Sequence, residues 1–148
     1  VRRGGEGPEH VDDDDQALLG RRADWAEGWY STLAGFVEAG ESAEMAVVRE
    51  MAEEAGVLID LERLDYLGSQ PWPFPGALML GFIANAEPDD PVAEEELEAA
   101  RWFSAEEVRA GLANDWATAD AEGEGIVLSS PISIARHVIR AWLAEQMG

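Results

Sequence analysis

Residues 41–57, ESAEMAVVREMAEEAGV, satisfy their apolar spacing best as an amphipathic helix that stops at Gly56, a natural C′ residue. At about 100° per residue, Met45, Val48, Met51, Ala52 and Ala55 share one broad face. Glu50, Glu53 and Glu54 then occupy an arc of roughly 100° on the opposite face. One side is expected to dock on a sheet while the other presents three carboxylates. Like charges at this spacing oppose a helix by about 0.2–0.5 kcal/mol per pair. Two of them also sit at the C-terminal end, where the helix dipole disfavours anions. A divalent cation would reverse both penalties, and carboxylate oxygens suit Mg²⁺ or Mn²⁺. In a chain with 31 acidic residues, the spacing alone reads more simply as a solvated acidic face.

The charge of −21 sets the wider limits. All ten basic residues are arginine. Such a surface argues against general binding to DNA, RNA or anionic membranes, and it repels a phosphate substrate unless a cation intervenes. It reads as adapted to high salt, where self-repulsion is screened. Unfolding on transfer to low salt is the expected consequence, and full stability there would refute it. With 148 residues, 47% of them hydrophobic, the chain has room for one ordinary core. No apolar run is long enough for a transmembrane helix, and no signal-peptide core is present. The absence of cysteine excludes disulfides and Cys-ligated zinc, and points to the cytoplasm.

Along the chain, residues 1–15 read as a polar, Gly-rich arm with a four-Asp run, and residues 16–148 as the folded domain. QALLG (16–20) reads as a short strand, and WYSTLAGFV (29–37) as a strand passing into a loop. LDYLGSQ and ALMLGFIANA read as strands on either side of the segment 71–75, which packs three prolines and two large aromatics together. A core strand would not tolerate those prolines. EPDDPVAEEEL (87–97) is an acidic loop and AARWF a short strand. Ser104 and Glu107 form a capping box for a second helix. Residues 114–130 are a connection, and PISIARHVIRAWLAEQM closes the chain with a helix that buries Ile134, Val138, Ile139, Trp142 and Leu143 on one face. His10 and His137 read as solvent or structural residues, and Trp25, Trp29, Trp116 and Trp142 as anchors. Mixed strands and helices give an α/β or α+β class.

The 23 residues from Gly35 to Val57 fit G-x5-E-x7-R-E-U-x-E-E-x-G-U at every fixed position, through Gly35, Glu41, Arg49, Glu50, Met51, Glu53, Glu54, Gly56 and Val57. This resembles the Nudix box, found in hydrolases that split a nucleoside diphosphate linked to another moiety. The resemblance implies an α+β fold, an α/β/α sandwich with a mixed sheet that carries the box as loop–helix–loop. It implies that Arg49 pairs with Glu41 and that Glu50 and Glu54 grip metal together. Glu53 is a further ligand or takes a proton from water. Ala34, just before the box, matches a position whose carbonyl binds metal, and Phe36 joins the substrate residues.

SQPWPFPGA (69–77) resembles the second motif of the NADH pyrophosphatase branch of that family. The resemblance puts Gln70, Pro71, Trp72, Pro73, Phe74, Pro75, Gly76 and Ala77 against the substrate. Prolines that pre-set an extended backbone reduce the entropy lost on binding. Trp72 and Phe74 offer flat faces for the rings of a dinucleotide, and the Gln70 amide offers hydrogen bonds. ELEAARWF (96–103) resembles the segment that supplies a further metal-binding Glu, here Glu96, with Glu95 and Glu98 as neighbours. SPISIARHVIRAW resembles the closing helix, where Ala135 contacts substrate.

The chain departs from the family in three ways. Ala77 stands where the motif has Ser. The family's N-terminal domain and four-Cys zinc ribbon are missing, and with them a region that contributes to its homodimer. The apolar strand expected before LLGR is also missing, since EGPEHVDDDD cannot replace it. Together with the absence of an initial Met, this reads as a fragment whose sheet is one strand short. The resemblance implies metal-dependent hydrolysis of NADH or NAD⁺ to nicotinamide mononucleotide and AMP, with removal of an NAD cap from RNA as a secondary activity. A broader pyrophosphatase for ADP-ribose and a nucleotide-binding module without turnover are the alternatives.

Overall fold

The structure, a computed structural model, describes residues 2–3, 15–74, 76–87, 89–94, 96–114 and 126–148. Most of the polar arm with His10, together with Pro75, Glu95 and Trp116, lies outside the described residues. In chain order the elements are β1 (Arg2–Arg3), β2 (Gln16–Arg22), β3 (Trp29–Tyr30), α1 (Ala43–Ala55) and β4 (Ile59–Trp72). They continue as β5 (Ala77–Ala86), β6 (Leu97–Ser104), α2 (Ala105–Ala113), β7 (Val127–Leu128) and α3 (Ile134–Met147).

The main sheet has the order β4-β5-β1-β2-β6, and β3 pairs with β7 in a two-stranded sheet. Strand alternation sends β2 to both faces. Ala17 and Leu19 join one core with Ile83, Phe103, Val108 of α2, and Val138, Ile139, Trp142 and Leu143 of α3. Leu18 joins the other with Trp102, Ala86, Val57 and Ala55 of α1. The result is an α/β/α sandwich in which α1 covers one face and α2 and α3 the other.

The expected strand gap falls between β2 and β5, and two residues bridge it. Arg2 and Arg3 pair antiparallel with Ala17 and Gln16, and parallel with Asn85 and Ala86. Pairing of this kind uses only backbone N–H and C=O groups, so it does not need the apolar side chains whose absence suggested a missing strand.

The proline segment also resolves simply. β4 continues through Pro71 and Trp72, opposite Leu78 and Ala77, because β4 is an edge strand where a missing N–H costs no ladder bond. Gly76, at φ 106°, closes the hairpin by donating its N–H to the Trp72 carbonyl at 3.1 Å.

Helix α1 differs from its expected stripe. Met51 and Ala55 are buried, but Met45 and Ala52 are exposed, and Ala46 on the carboxylate side is buried instead. The loop ahead of the helix comes against that side, with Gly35 on Glu50 and the Phe36 carbonyl on Arg49.

Candidate active site

Ser42 starts α1 by accepting the Met45 N–H, and Gly56 ends it in the left-handed region at φ 62°. Between these caps, Arg49 organises the carboxylates. Its Nε and Nη2 donate to the two oxygens of Glu41 at 2.8 and 2.9 Å, a bidentate pair. Its Nη1 donates to Glu50 at 2.8 Å and Glu53 at 3.1 Å. Nη2 also donates to the Phe36 carbonyl at 2.8 Å. The expected Arg49–Glu41 pair is therefore present, and it ties the loop to the helix.

These contacts set the electrostatics. Hydrogen bonds from Arg49, and then from the Glu38 N–H, hold the Glu41 carboxyl down at about 2 against an ordinary 4.5. Hydrogen bonding to Glu41 and Glu50 raises the Arg49 pKa, which keeps it charged. Gly35 lies directly against Glu50, and a Cβ there would overlap the Glu50 carboxylate. The glycine is thus required for a close approach. The Glu50 side chain is 16% exposed and that of Glu53 49%, so the first is packed and the second is open to water.

Glu50 and Glu54 stand one turn apart on this flank, both half-buried, and the last turn of α1 carries no basic residue. Their donors are hard oxygens. Among the described residues no three Asp, Glu or His side chains form a ready metal cage. The Glu50 and Glu54 carboxylates, as a hard-oxygen pair one turn apart, are of the donor type that Mg²⁺ or Mn²⁺ takes, one or two carboxylates with water and substrate phosphate completing the shell. Glu96 is not gathered in with Glu50 and Glu54. It is exposed and pairs with Arg22 at 2.9 Å, while its neighbour Glu98 pairs with Arg21 at 2.6 Å. The acidic loop nonetheless reaches α1. Val92 and Glu94 donate their N–H groups to the carbonyls of Ala55 and Glu54, at 3.0 and 2.9 Å, where helix-terminal carbonyls lack intrahelical partners. Trp102 Nε1 fixes the same loop through the Asp89 carbonyl at 3.0 Å.

The second motif presents exposed aromatics. Phe74 is 87% exposed and Trp72 43%, with Phe36 at 82% ahead of the box. Pro71, Pro73 and Gly76 are exposed, Ala77 is half-buried opposite Trp72, and Ala34 is exposed beside Gly35. Ala135 is half-buried in the first turn of α3, and His137 is exposed further along. Gln70 is half-buried, and its amide makes two bonds within the chain. Its Nε2 donates to the Ile132 carbonyl at 2.7 Å, and its Oε1 accepts the Ile134 N–H at 2.8 Å.

Sequence reasoning missed Arg22 as the partner of Glu96, and it missed Gly81. A Cβ at Gly81 would meet Val138 and Ile134 of α3 at 2.9 and 3.1 Å. A lone glycine inside the apolar run ALMLGFIANA was the available signal, since such a glycine marks a close approach.

Comparison with known proteins identifies the family. The chain is 49% identical over 133 residues to the NAD-capped RNA hydrolase NudC of Mycobacterium bovis, covering 88% of this chain and 41% of that protein. It is 44% identical over 135 residues to the protein of the same name from Pseudomonas aeruginosa, covering 90% and 42%. The chain therefore spans about two fifths of the length of these curated relatives. A Nudix hydrolase structure from Nitrosomonas europaea shares the fold, with a TM-score of 0.58 at 24% identity over 90% of this chain and 83% of that one. The NUDIX domain family model matches residues 10–122, a span that holds the box, the Arg49 network and the aromatic hairpin, and the chain belongs to the Nudix family.

Proposed function

We propose that the chain hydrolyses the diphosphate bond of NADH or NAD⁺, giving nicotinamide mononucleotide and AMP. One observation carries the reading: packed box carboxylates ordered by Arg49 occur in the same domain as an open hairpin bearing Trp72 and Phe74. The relatives named as NAD-capped RNA hydrolases support it and extend it to an NAD cap on RNA.

Glu50 and Glu54 would hold Mg²⁺ or Mn²⁺, with Glu53 and Glu96 as further candidates and the Ala34 carbonyl beside them. Bound there, the metal would neutralise the diphosphate and lower the pKa of a water molecule. Glu53, half exposed beside Arg49, would either join the metal ligands or accept the proton of that water. The water oxygen forms a new bond to one phosphorus while the bridging P–O bond breaks, and two phosphomonoesters leave. Trp72, Phe74 and Phe36 would stack on the rings, and Ala135 would border them. With no lysine and a charge of −21, the chain depends on a cation to bring an anionic substrate to this surface.

A binding module without turnover is favoured by one observation, the engagement of Glu96 with Arg22 rather than with the box. NADH hydrolysis with Mg²⁺ or Mn²⁺, in low and molar KCl, separates the readings. Metal-dependent AMP release, lost in Glu54→Gln, is expected. Folded protein that binds NADH in the presence of metal without turnover would support the module, and preferred hydrolysis of ADP-ribose the broader pyrophosphatase.

A further inference from the structure

Gln70 lies within the motif read as substrate-binding, yet both ends of its amide are already engaged. The Ile132 carbonyl can only accept and the Ile134 N–H can only donate, so the orientation of the amide is forced. Ile134 is the first residue of α3, and its N–H is one of the four that a helix start leaves without an intrahelical partner. The N-cap Ser133 accepts the Arg136 N–H at 3.3 Å. The start of α3 is thus capped twice, once by its own Ser133 and once by a strand 64 residues away in sequence.

Gln70 and Trp72 are two residues apart on β4 and so face the same side of the sheet. Gly81 lies on that side of β5, the next strand, and its missing side chain lets Ile134 and Val138 of α3 come close. Ala135 follows Ile134 directly. The hairpin bearing Trp72 and the helix turn bearing Ala135 are therefore joined at Gln70.

From this we propose that Gln70 is a positioning residue, whose amide locks the start of α3 to the β4–β5 hairpin and thereby sets where Ala135 stands relative to Trp72. The inference rests on the proposed substrate surface. The two bonds use one Nε2 hydrogen and one Oε1 lone pair and hold the plane of the amide against α3, so any contact with substrate is limited to the hydrogen and lone pair that the clasp leaves over. In this proposal the effect of Gln70 on substrate runs through α3.

The test is hydrogen exchange at the Ile134 amide in wild type, Gln70→Ala and Gln70→Glu, alongside NADH kinetics with Mn²⁺ in these three and in Ile134→Pro, alone and combined with Gln70→Ala. Ile134→Pro deletes the clasping N–H at a helix position that tolerates proline, behind Ser133, which is already extended at φ −85°, ψ 145°. Gln70→Ala is expected to speed exchange at Ile134 about tenfold and to raise KM by a similar factor, with kcat within about twofold. Gln70→Glu keeps the acceptor, so it should retain protection at Ile134 and show a smaller rise in KM. It also stands in if the alanine variant fails to fold. In the Ile134→Pro background, Gln70→Ala should add little further loss. Unchanged exchange at Ile134 in Gln70→Ala would overturn the clasp. KM effects that multiply fully across the two sites would overturn it in favour of direct substrate contact. Faster exchange with unchanged KM would overturn its role in placing substrate. Wild-type protein without NADH turnover would instead refute the proposed function, with exchange still deciding the clasp.

Discussion

The carboxylate flank of α1 and the joint between the hairpin and α3 are built on different principles. On α1, one arginine holds charged partners at sequence separations of one, four and eight residues. The geometry there is local and can form as soon as the helix and its preceding loop exist. At the joint, two neutral hydrogen bonds span 62 and 64 residues and depend on a glycine in a third element. That geometry exists only after β4, β5 and α3 have packed. Damage to α1 should therefore remove chemistry and spare the fold, while damage to the joint should cost placement and stability together.

Glu54→Gln should break the comparison most sharply. It keeps the shape of a half-buried side chain and removes its charge. Metal-dependent NADH turnover is expected to fall about a thousandfold with little change in Tm. A loss of Tm in proportion to activity would mean that the α1 flank is a structural device after all. Gly35→Ala comes next. Its Cβ would overlap the Glu50 carboxylate, so Glu50 must move and its bond to Arg49 must stretch. A displacement of about 1 Å at such a site can cost about a hundredfold in rate. Activity measured beside Tm would show whether Glu50 moves alone or takes the loop with it. Gly81→Ala acts on the other region. Its Cβ presses on Val138 and Ile134, and the expected cost is about 1 kcal/mol, since the lost packing is partly offset by the lower entropy of the unfolded chain. A raised KM should accompany the lower Tm. Unchanged KM would separate the seating of α3 from substrate binding.

This contrast also explains what could be read before the fold was seen. The Arg49–Glu41 pair, the caps at Ser104 and Gly56, and the buried face of α3 all follow from residues a few positions apart, and all are present. The exposure of Met45 and the burial of Ala46 did not follow, because periodicity describes the helix alone and not what packs against it. The two-residue β1 was invisible for a related reason. Its pairing uses backbone alone, and hydropathy carries no trace of it. The Glu96–Arg22 pair and the use of Gln70 arise from tertiary contact between distant segments. A residue's chemical type was legible throughout, but which partner it would spend that chemistry on was legible only where the partner was near in sequence.

The smallest expected effect sharpens the same contrast through pH. The Glu41 carboxyl sits at about 2 in the folded chain against an ordinary 4.5, because Arg49 donates two hydrogen bonds to it. A depressed carboxyl stabilises the fold fully above its unfolded pKa, and the stabilisation is lost as pH falls through the folded value. Its contribution should therefore be complete above pH 4.5 and drain away toward pH 2. Other carboxylates titrate in the same window, and in a chain of charge −21 their protonation also relieves repulsion, so absolute Tm is a poor readout. The difference in Tm between wild type and Glu41→Gln isolates the pair. It should be constant above pH 5 and shrink steadily between about pH 4.5 and 2. Gln70→Ala, which removes only neutral hydrogen bonds, should give a Tm difference that does not change over that window. If both differences shrink together on acidification, acid loosens the packing of α3 as well, and the two regions are not independent. If neither shrinks, Glu41 is not held by Arg49 in solution, and the order of the carboxylate flank must come from the packing of Gly35 against Glu50 instead.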